Sequence, residues 1–135
     1  MAEAAESNVT KGDGWSAANL DGLGEGPGFR KIRKELGVTA FGVNAIVLPA
    51  GYTTGSHYHD EQEELYFLHS GEVEFEFGDG STQRLGPGGL AWVDAPTPRR
   101  VKNLSDTEEA VYVVIGGKDG YVGRDGKLAE GETHR

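Results

Sequence analysis

Residues 72–77 alternate strictly between acidic and apolar side chains, and this alternation limits the choice of fold more than any other feature of the sequence. The even-numbered positions are all glutamate, and the odd-numbered positions are apolar: Val73, Phe75 and Phe77. A period of two is typical of a β-strand with one buried face and one face in water. Gly78-Asp79-Gly80 follows directly and favours a tight hairpin turn. The segment therefore predicts one strand of an antiparallel sheet.

Short apolar runs of similar length recur from residue 40 onward, and glycines separate them. Glycine accounts for 22 of the 135 residues, more than twice the average share of about 7%. Turn signals at intervals of about 8–12 residues are typical of a β-sandwich or a β-barrel. No apolar periodicity of helical length follows residue 40. We therefore predict an all-β barrel.

The two ends of the chain differ from this central part. Residues 1–28 are polar and rich in glycine, which indicates an N-terminal arm, and residues 117–135 are interpreted as a polar C-terminal tail at the surface. The barrel domain would then span residues 29–116.

The start of this barrel domain is ambiguous. Phe29, Ile32 and Leu36 fall at helical spacing, whereas Gly37 and the strand-like run after it favour an extended conformation. A strand is the preferred interpretation of residues 29–36.

Composition and charge exclude several classes of function. The net charge of −9 would repel the phosphates of nucleic acids and of anionic membrane surfaces. The absence of cysteine excludes disulfides, thiolate zinc sites and cysteine nucleophiles. The first residues do not resemble a signal peptide, and no stretch reaches the roughly 18 apolar residues of a membrane-spanning helix. A cytoplasmic protein with no nucleic-acid or membrane partner is expected.

Two histidines, His57 and His59, are separated by one residue in a segment with strand character. Side chains at positions i and i+2 of a strand point to the same face, with Cα atoms about 6.6 Å apart. Both imidazoles can then bind one metal ion, at about 2.0–2.1 Å from each nitrogen. Glu64 opens the next strand and can supply a carboxylate, with Glu63 as a less favoured neighbour. Two histidines and one carboxylate suit Fe(II), Mn, Ni or Zn, so His57, His59 and Glu64 are candidate ligands of a divalent metal.

The spacing of these ligands matches a known motif at five positions: Gly51, His57, His59, Glu64 and Gly71. The first motif of the cupin superfamily has these residue types at these spacings, and the chain resembles a cupin over roughly residues 38–116. The resemblance implies a double-stranded β-helix, or jelly-roll, barrel that binds metal inside through the two histidines and the glutamate. It also implies a homodimer, which an open sheet edge independently favours.

The second cupin motif is only partly present. Gly88 and Asn103 fit its two ends, whereas Asp94 and Pro96 replace the expected proline and glycine. Arg99 stands where the resemblance places the fourth metal ligand, a histidine. A guanidinium stays protonated and has no lone pair to offer a metal. The resemblance then implies a three-ligand site with water or substrate in the remaining positions.

Two further residues are candidates for substrate binding. Arg99 shares strand parity with Val101 and is expected to face inward, where it could hold a carboxylate or phosphate of a ligand. It could instead pair with Glu64 through two hydrogen bonds and leave the metal site empty. Tyr66 shares parity with Glu64 and is interpreted as a wall of the pocket.

The expected function is the binding or transformation of a small polar molecule at this metal site. The resemblance implies a dioxygenase, an isomerase or a cyclase, in which the metal acts as a Lewis acid. Two alternatives are a non-catalytic module that binds a sugar-like ligand and a metal-free cupin. No catalytic residue is assigned from the sequence.

Overall fold

The protein, seen here in a computed structural model that describes residues 8–132, is built mainly of β-strands. The strands of the described part are β1 (Thr10–Gly12), β2 (Trp15–Ala17), β3 (Gly28–Arg30), β4 (Gly42–Leu48), β5 (His57–His59), β6 (Glu63–Ser70), β7 (Val73–Phe77), β8 (Thr82–Leu85), β9 (Leu90–Val93), β10 (Arg99–Asn103), β11 (Ala110–Gly117) and β12 (Gly126–Leu128). A 3₁₀ helix covers Leu20–Leu23, and one short α-helix, α1, covers Ile32–Leu36. No helix within this part is long and apolar enough to cross a bilayer.

Most of these strands form two antiparallel five-stranded sheets. The first sheet has the strand order β12-β5-β10-β7-β8, and the second has the order β3-β4-β11-β6-β9. Strands β1 and β2 pair with each other as a separate ribbon. Both sheets contribute to one buried apolar cluster: Leu48, Tyr66, Leu68, Val73, Phe75, Val93, Val101, Ala110 and Tyr112. The core therefore lies between the sheets, and the prediction of an all-β barrel is confirmed.

Strand β7 is the alternating segment from which the fold was predicted. Val73 and Phe75 are buried, whereas Glu76 is exposed on the other face. The strand continues through a hairpin into β8, and Gly80 adopts a φ of 88° in the turn. A residue with a Cβ atom is disfavoured at this angle, which accounts for the glycine.

The strand interpretation of residues 29–36 is correct for the first two residues and wrong for the helical ones. Residues 28–30 pair with β4, and the helical spacing of Ile32 and Leu36 corresponds to α1. Gly37 ends this helix because it adopts the left-handed conformation at a φ of 81°, and its N–H donates to the Arg33 carbonyl at 2.9 Å. A glycine next to a strand-like run thus marked the end of a helix.

The C-terminal segment enters the first sheet. Strand β12 pairs antiparallel with β5, with Gly126 opposite His59 and Leu128 opposite His57. Part of the segment interpreted as a surface tail is therefore the edge strand beside the two histidines. Three residues are too few to show a strand periodicity in sequence. Residues 1–7 of the expected arm and 133–135 of the expected tail lie outside the described residues.

Candidate metal centre

The two candidate histidine ligands lie on β5, in the first sheet. Strand β5 lies between β12 and β10, and His57 is paired with Arg99 of β10. The imidazole centroids of His57 and His59 are 5.3 Å apart, and the rings are nearly perpendicular. His59 is buried and His57 is half-buried. The geometry gives two imidazoles directed to one region, as a strand spacing of two residues requires.

The candidate carboxylate ligand comes from the second sheet. On β6, Glu64, Tyr66 and Leu68 are all buried, as their shared parity predicts. One potential ligand atom each from His57, His59 and Glu64 lies within 4.8 Å of the other two, the one such group among the described residues. Two ligands at about 2.1 Å from one ion are at most about 4.2 Å apart, so side-chain movements of under about 1 Å would bring them together.

The contact between His59 and Glu64 tests whether these side chains fit a metal. His59 Nε2 lies 3.2 Å from Glu64 Oε2, yet it has no hydrogen-bond partner with acceptable geometry anywhere in residues 8–132. The short distance between the two atoms alone would suggest an ion pair. Because their geometry does not form a hydrogen bond, the nitrogen is left without a partner in the described part of the chain. A buried nitrogen without a partner is unfavourable. A nitrogen lone pair and a carboxylate oxygen facing one point are what a divalent cation requires, so the residues fit a metal.

The other oxygen of Glu64 is held by protein donors. The Tyr66 hydroxyl donates to Oε1 at 2.7 Å, and Arg99 Nη1 donates to the same atom at 3.1 Å. Burial alone would raise the pKa of Glu64, but the nearby His59, the hydrogen bond from Tyr66 and the charge of Arg99 outweigh it and lower the pKa. Glu64 is therefore an ionised carboxylate with one oxygen held in place and the other directed to His59.

Arg99 is completely buried, with a relative exposure of 0%. Besides its contact with Glu64, its Nη2 donates to the Asp94 carbonyl at 2.7 Å. A single nitrogen contacts Glu64, so the pair is not the bidentate one considered from sequence. Arg99 is not among the described residues that line the cavity beside the three candidate ligands. Its observed contacts are with Glu64 and with the backbone at Asp94, and its predicted role in substrate binding stays a prediction.

A cavity of about 580 Å³ adjoins the three candidate ligands. The residues that line it include Tyr66 and Tyr112 as well as the apolar Ile46, Leu48 and Val114. This volume is within the range of small-molecule sites. Burial, followed by the nearby charge of Glu64, raises the pKa of Tyr66 well above its usual value, so its hydroxyl remains a donor.

The C-terminal segment contributes a part of the cavity lining that was not predicted from the sequence. Tyr121, Arg124 and Asp125 all line the cavity. Asp125 is buried, and it accepts hydrogen bonds from backbone N–H groups of the loop between β5 and β6. Burial raises the pKa of Asp125, but these backbone donors and the nearby His59 lower it overall. A lone aspartate in a polar, glycine-rich stretch carries no sequence signal for this position.

Two other residues considered in the sequence make structural contacts. Glu63 is exposed, and it accepts a hydrogen bond from Trp92 Nε1 at 2.6 Å on the outer face of the second sheet. Asn103, the last residue of the partial second motif, is buried, and its amide donates to the carbonyls of Pro49 and Glu108. Asn103 thus holds two loops together at the end of β10.

Several solved structures resemble this fold. A conserved protein with a double-stranded β-helix domain from Klebsiella pneumoniae is 22% identical, with a TM-score of 0.59, and the match covers 67% of this chain and 76% of that one. A DMSP lyase from Ruegeria pomeroyi is 26% identical, with a TM-score of 0.60 and coverages of 69% and 46%. A sugar phosphate isomerase of the cupin superfamily from Silicibacter pomeroyi is 24% identical, with a TM-score of 0.63 and coverages of 76% and 64%. The chain thus spans less than half of the lyase and under two thirds of the isomerase.

The family relationship rests on sequence as well as on fold. No curated protein matches the chain significantly. The sequence model of the family described as Cupin domain matches residues 44–116, which is more than half of the chain. This range contains the complete first motif and strands of both sheets. The chain therefore belongs to the cupin family.

Proposed function

We propose that this cupin binds a divalent metal through His57, His59 and Glu64 and uses it to bind and transform a small polar molecule. The observation that carries the proposal is the buried pair of His59 Nε2 and Glu64 Oε2, which face each other at 3.2 Å without a hydrogen bond beside an open cavity. Fe(II), Mn, Ni or Zn would suit two imidazoles and one carboxylate. When bound, such an ion supplies a Lewis acid that polarises an oxygen of the ligand.

The chain's own residues would orient both the carboxylate and the ligand. Tyr66 and Arg99 fix Oε1 of Glu64, which leaves Oε2 for the metal. Tyr66 and Tyr112 line the cavity together with apolar side chains, and their hydroxyl groups would orient a polar ligand. In this proposal Tyr66 meets the substrate directly, whereas Arg99 acts through Glu64.

Two of the similar structures are described as enzymes that act on small molecules, which supports a small-molecule substrate for this chain. One is a DMSP lyase and the other a sugar phosphate isomerase. The expected reaction classes, dioxygenase, isomerase and cyclase, belong to the same proposal. So do the expectations of a cytoplasmic location and a homodimer.

One observation favours a second candidate, a metal-free cupin that only binds its ligand. The buried Arg99 guanidinium already compensates the charge of Glu64, so the carboxylate has a cationic partner without any metal. Direct measurement of metal binding separates the two candidates.

The test is calorimetric titration of chelator-treated protein with Mn(II), Fe(II), Ni(II) and Zn(II). Wild-type protein should bind one ion per chain, and His59→Ala should lose this binding because one of three donors is removed. His69→Ala is the matched control, because this histidine is exposed on β6 and outside the site. Equal binding by wild-type protein and His59→Ala, or no binding by wild-type protein, would contradict the proposal and leave the metal-free candidate.

A further inference from the structure

Asp125 holds the loop that joins two of the candidate metal ligands. Its side chain is almost completely buried, with a relative exposure of 7%. Oδ1 accepts the N–H of Asp60 at 3.2 Å, and Oδ2 accepts the N–H groups of Glu61 and Gln62 at 2.9 Å each. Four residues connect His59 to Glu64, and Asp125 binds the backbone of the first three. One carboxylate therefore sets the path of the chain between the two ligands.

The same carboxylate lies near the second nitrogen of the His59 ring. Asp125 Oδ2 is 3.8 Å from His59 Nδ1, and the side-chain amide of Gln62 is 3.0 Å from that nitrogen. Coordination through Nε2 requires the proton of a neutral imidazole to be on Nδ1. The amide of Gln62 can turn its oxygen to this proton, because the oxygen and nitrogen of an amide exchange places in a flip. Asp125 is too distant for a direct hydrogen bond to His59, but its Oδ2 accepts the backbone N–H of Gln62 at 2.9 Å, so the position of the side-chain amide beside Nδ1 depends on Asp125.

The segment that begins at Asp125 also holds the backbone of both histidines. Gly126 is paired with His59, and Leu128 is paired with His57, in the ladder between β12 and β5. Lys127 Nζ lies 2.7 Å from Asp60 Oδ2, in the same loop that Asp125 holds. The side chain of Asp125 and the strand after it therefore act on one unit, which consists of β5 and the loop that follows it.

We infer that Asp125 is a positioning residue of the metal centre: it holds the loop between the ligands, and with it the Gln62 side chain that contacts Nδ1 of His59, so that Nε2 faces Glu64. The inference rests on the proposed metal site and extends that site to the C-terminal segment. A group that hydrogen-bonds the second nitrogen of a histidine ligand orients the ring, and Gln62, whose backbone Asp125 holds, is placed to be that group. Here, the support of that group comes from Asp125, in a part of the chain that carries no motif.

The test compares Asp125→Asn with Asp119→Asn, which removes the same charge from an exposed aspartate of the same segment. Zinc affinity is measured by calorimetry, and the nitrogen resonances of the His59 ring are measured by NMR in the zinc-loaded protein. Wild-type protein and Asp119→Asn should show zinc at Nε2 and a slowly exchanging Nδ1 proton. Asp125→Asn should bind zinc about 10- to 100-fold more weakly, and its Nδ1 proton should exchange faster.

A purely structural role predicts a different result. In that case Asp125→Asn would lower the melting temperature, but the zinc affinity of the folded variant and the exchange of the Nδ1 proton would match those of wild-type protein. That outcome overturns the inference alone. Coordination of wild-type His59 through Nδ1 also overturns it, and this measurement does not depend on the folding of any variant. Failure of wild-type protein to bind zinc or any other of the four ions overturns the proposed function and the inference together.

Discussion

Arg99 occupies a position where the family pattern has a metal ligand, and its contacts explain how an arginine is accommodated there. The guanidinium is fully buried between Glu64 and the Asp94 carbonyl, so its charge and two of its nitrogens have partners. Its Nε lacks a partner among the described residues. Because Glu64 is ionised and buried, removal of Arg99 would leave a buried negative charge held by Tyr66 and His59 alone.

We predict that Arg99→Met lowers the free energy of unfolding of the metal-free protein by about 3–5 kcal/mol, the usual effect of removing one partner of a buried ion pair. Arg100→Met is the control. Arg100 faces the other side of β10, where it pairs with Glu76 and Glu132 at the surface. Its replacement should change stability by less than about 1 kcal/mol. Denaturant unfolding measures the free energy of unfolding of both variants. Equal losses in the two variants would contradict the prediction that the buried Arg99–Glu64 pair contributes more than a surface pair.

At the scale of single elements, α1 depends on one glycine. Gly37 has a φ of 81°, and a Cβ atom built on it would meet no atom within 4 Å. A substitution here therefore tests the cost of the backbone conformation without any steric clash.

Gly37→Ala should destabilise the protein by about 1 kcal/mol, because the left-handed conformation is unfavourable for a residue with a Cβ atom. Gly86→Ala is the matched control: this glycine also has open space around it, but it does not have a positive φ. Thermal unfolding should show a lower melting temperature for Gly37→Ala than for Gly86→Ala. The reverse order would mean that the conformation of Gly37 is not what ends α1.

The elements also show how far the sequence could predict the site. The convergence of His57, His59 and Glu64 follows from local rules, since strand parity and a short loop place them together. Asp125 could not be found in this way. Its partners are backbone N–H groups more than 60 residues earlier in the chain, and every sequence supplies such groups at every position except proline. Strand β12 could not be predicted from the sequence either, because three residues do not define a strand periodicity.

At the scale of the whole molecule, the outer face of β6 and β9 is apolar and exposed. Leu90 and Trp92 have relative exposures of 59% and 61% on β9, which is an edge strand of the second sheet. They are paired with Phe67 and Leu65 of β6, which are also exposed. An unprotected edge strand of this kind favours pairing with the same strand of a second copy.

We predict a homodimer that forms through this edge. Light scattering coupled to gel filtration should give wild-type protein twice the chain mass of 14.4 kDa. Trp92→Glu should give a monomer, because it introduces a charge at the centre of the apolar face. Trp15→Glu is the control, since Trp15 is similarly exposed but belongs to the separate β1–β2 ribbon. A wild-type monomer at micromolar concentration, or dissociation by both substitutions, would contradict the prediction.

The position of β12 has a mechanical consequence. This strand has β5 as its single neighbour in the sheet and is followed by the last described residues of the chain. A force applied from the C-terminal side would peel its hydrogen bonds one after another, and the first strand to lose support would be the one that carries His57 and His59. A purification tag or a tether is therefore better placed at the N-terminus, which precedes the separate β1–β2 ribbon in the sequence. Conversely, a force probe attached at the C-terminus would report whether the two histidines are held by an ion.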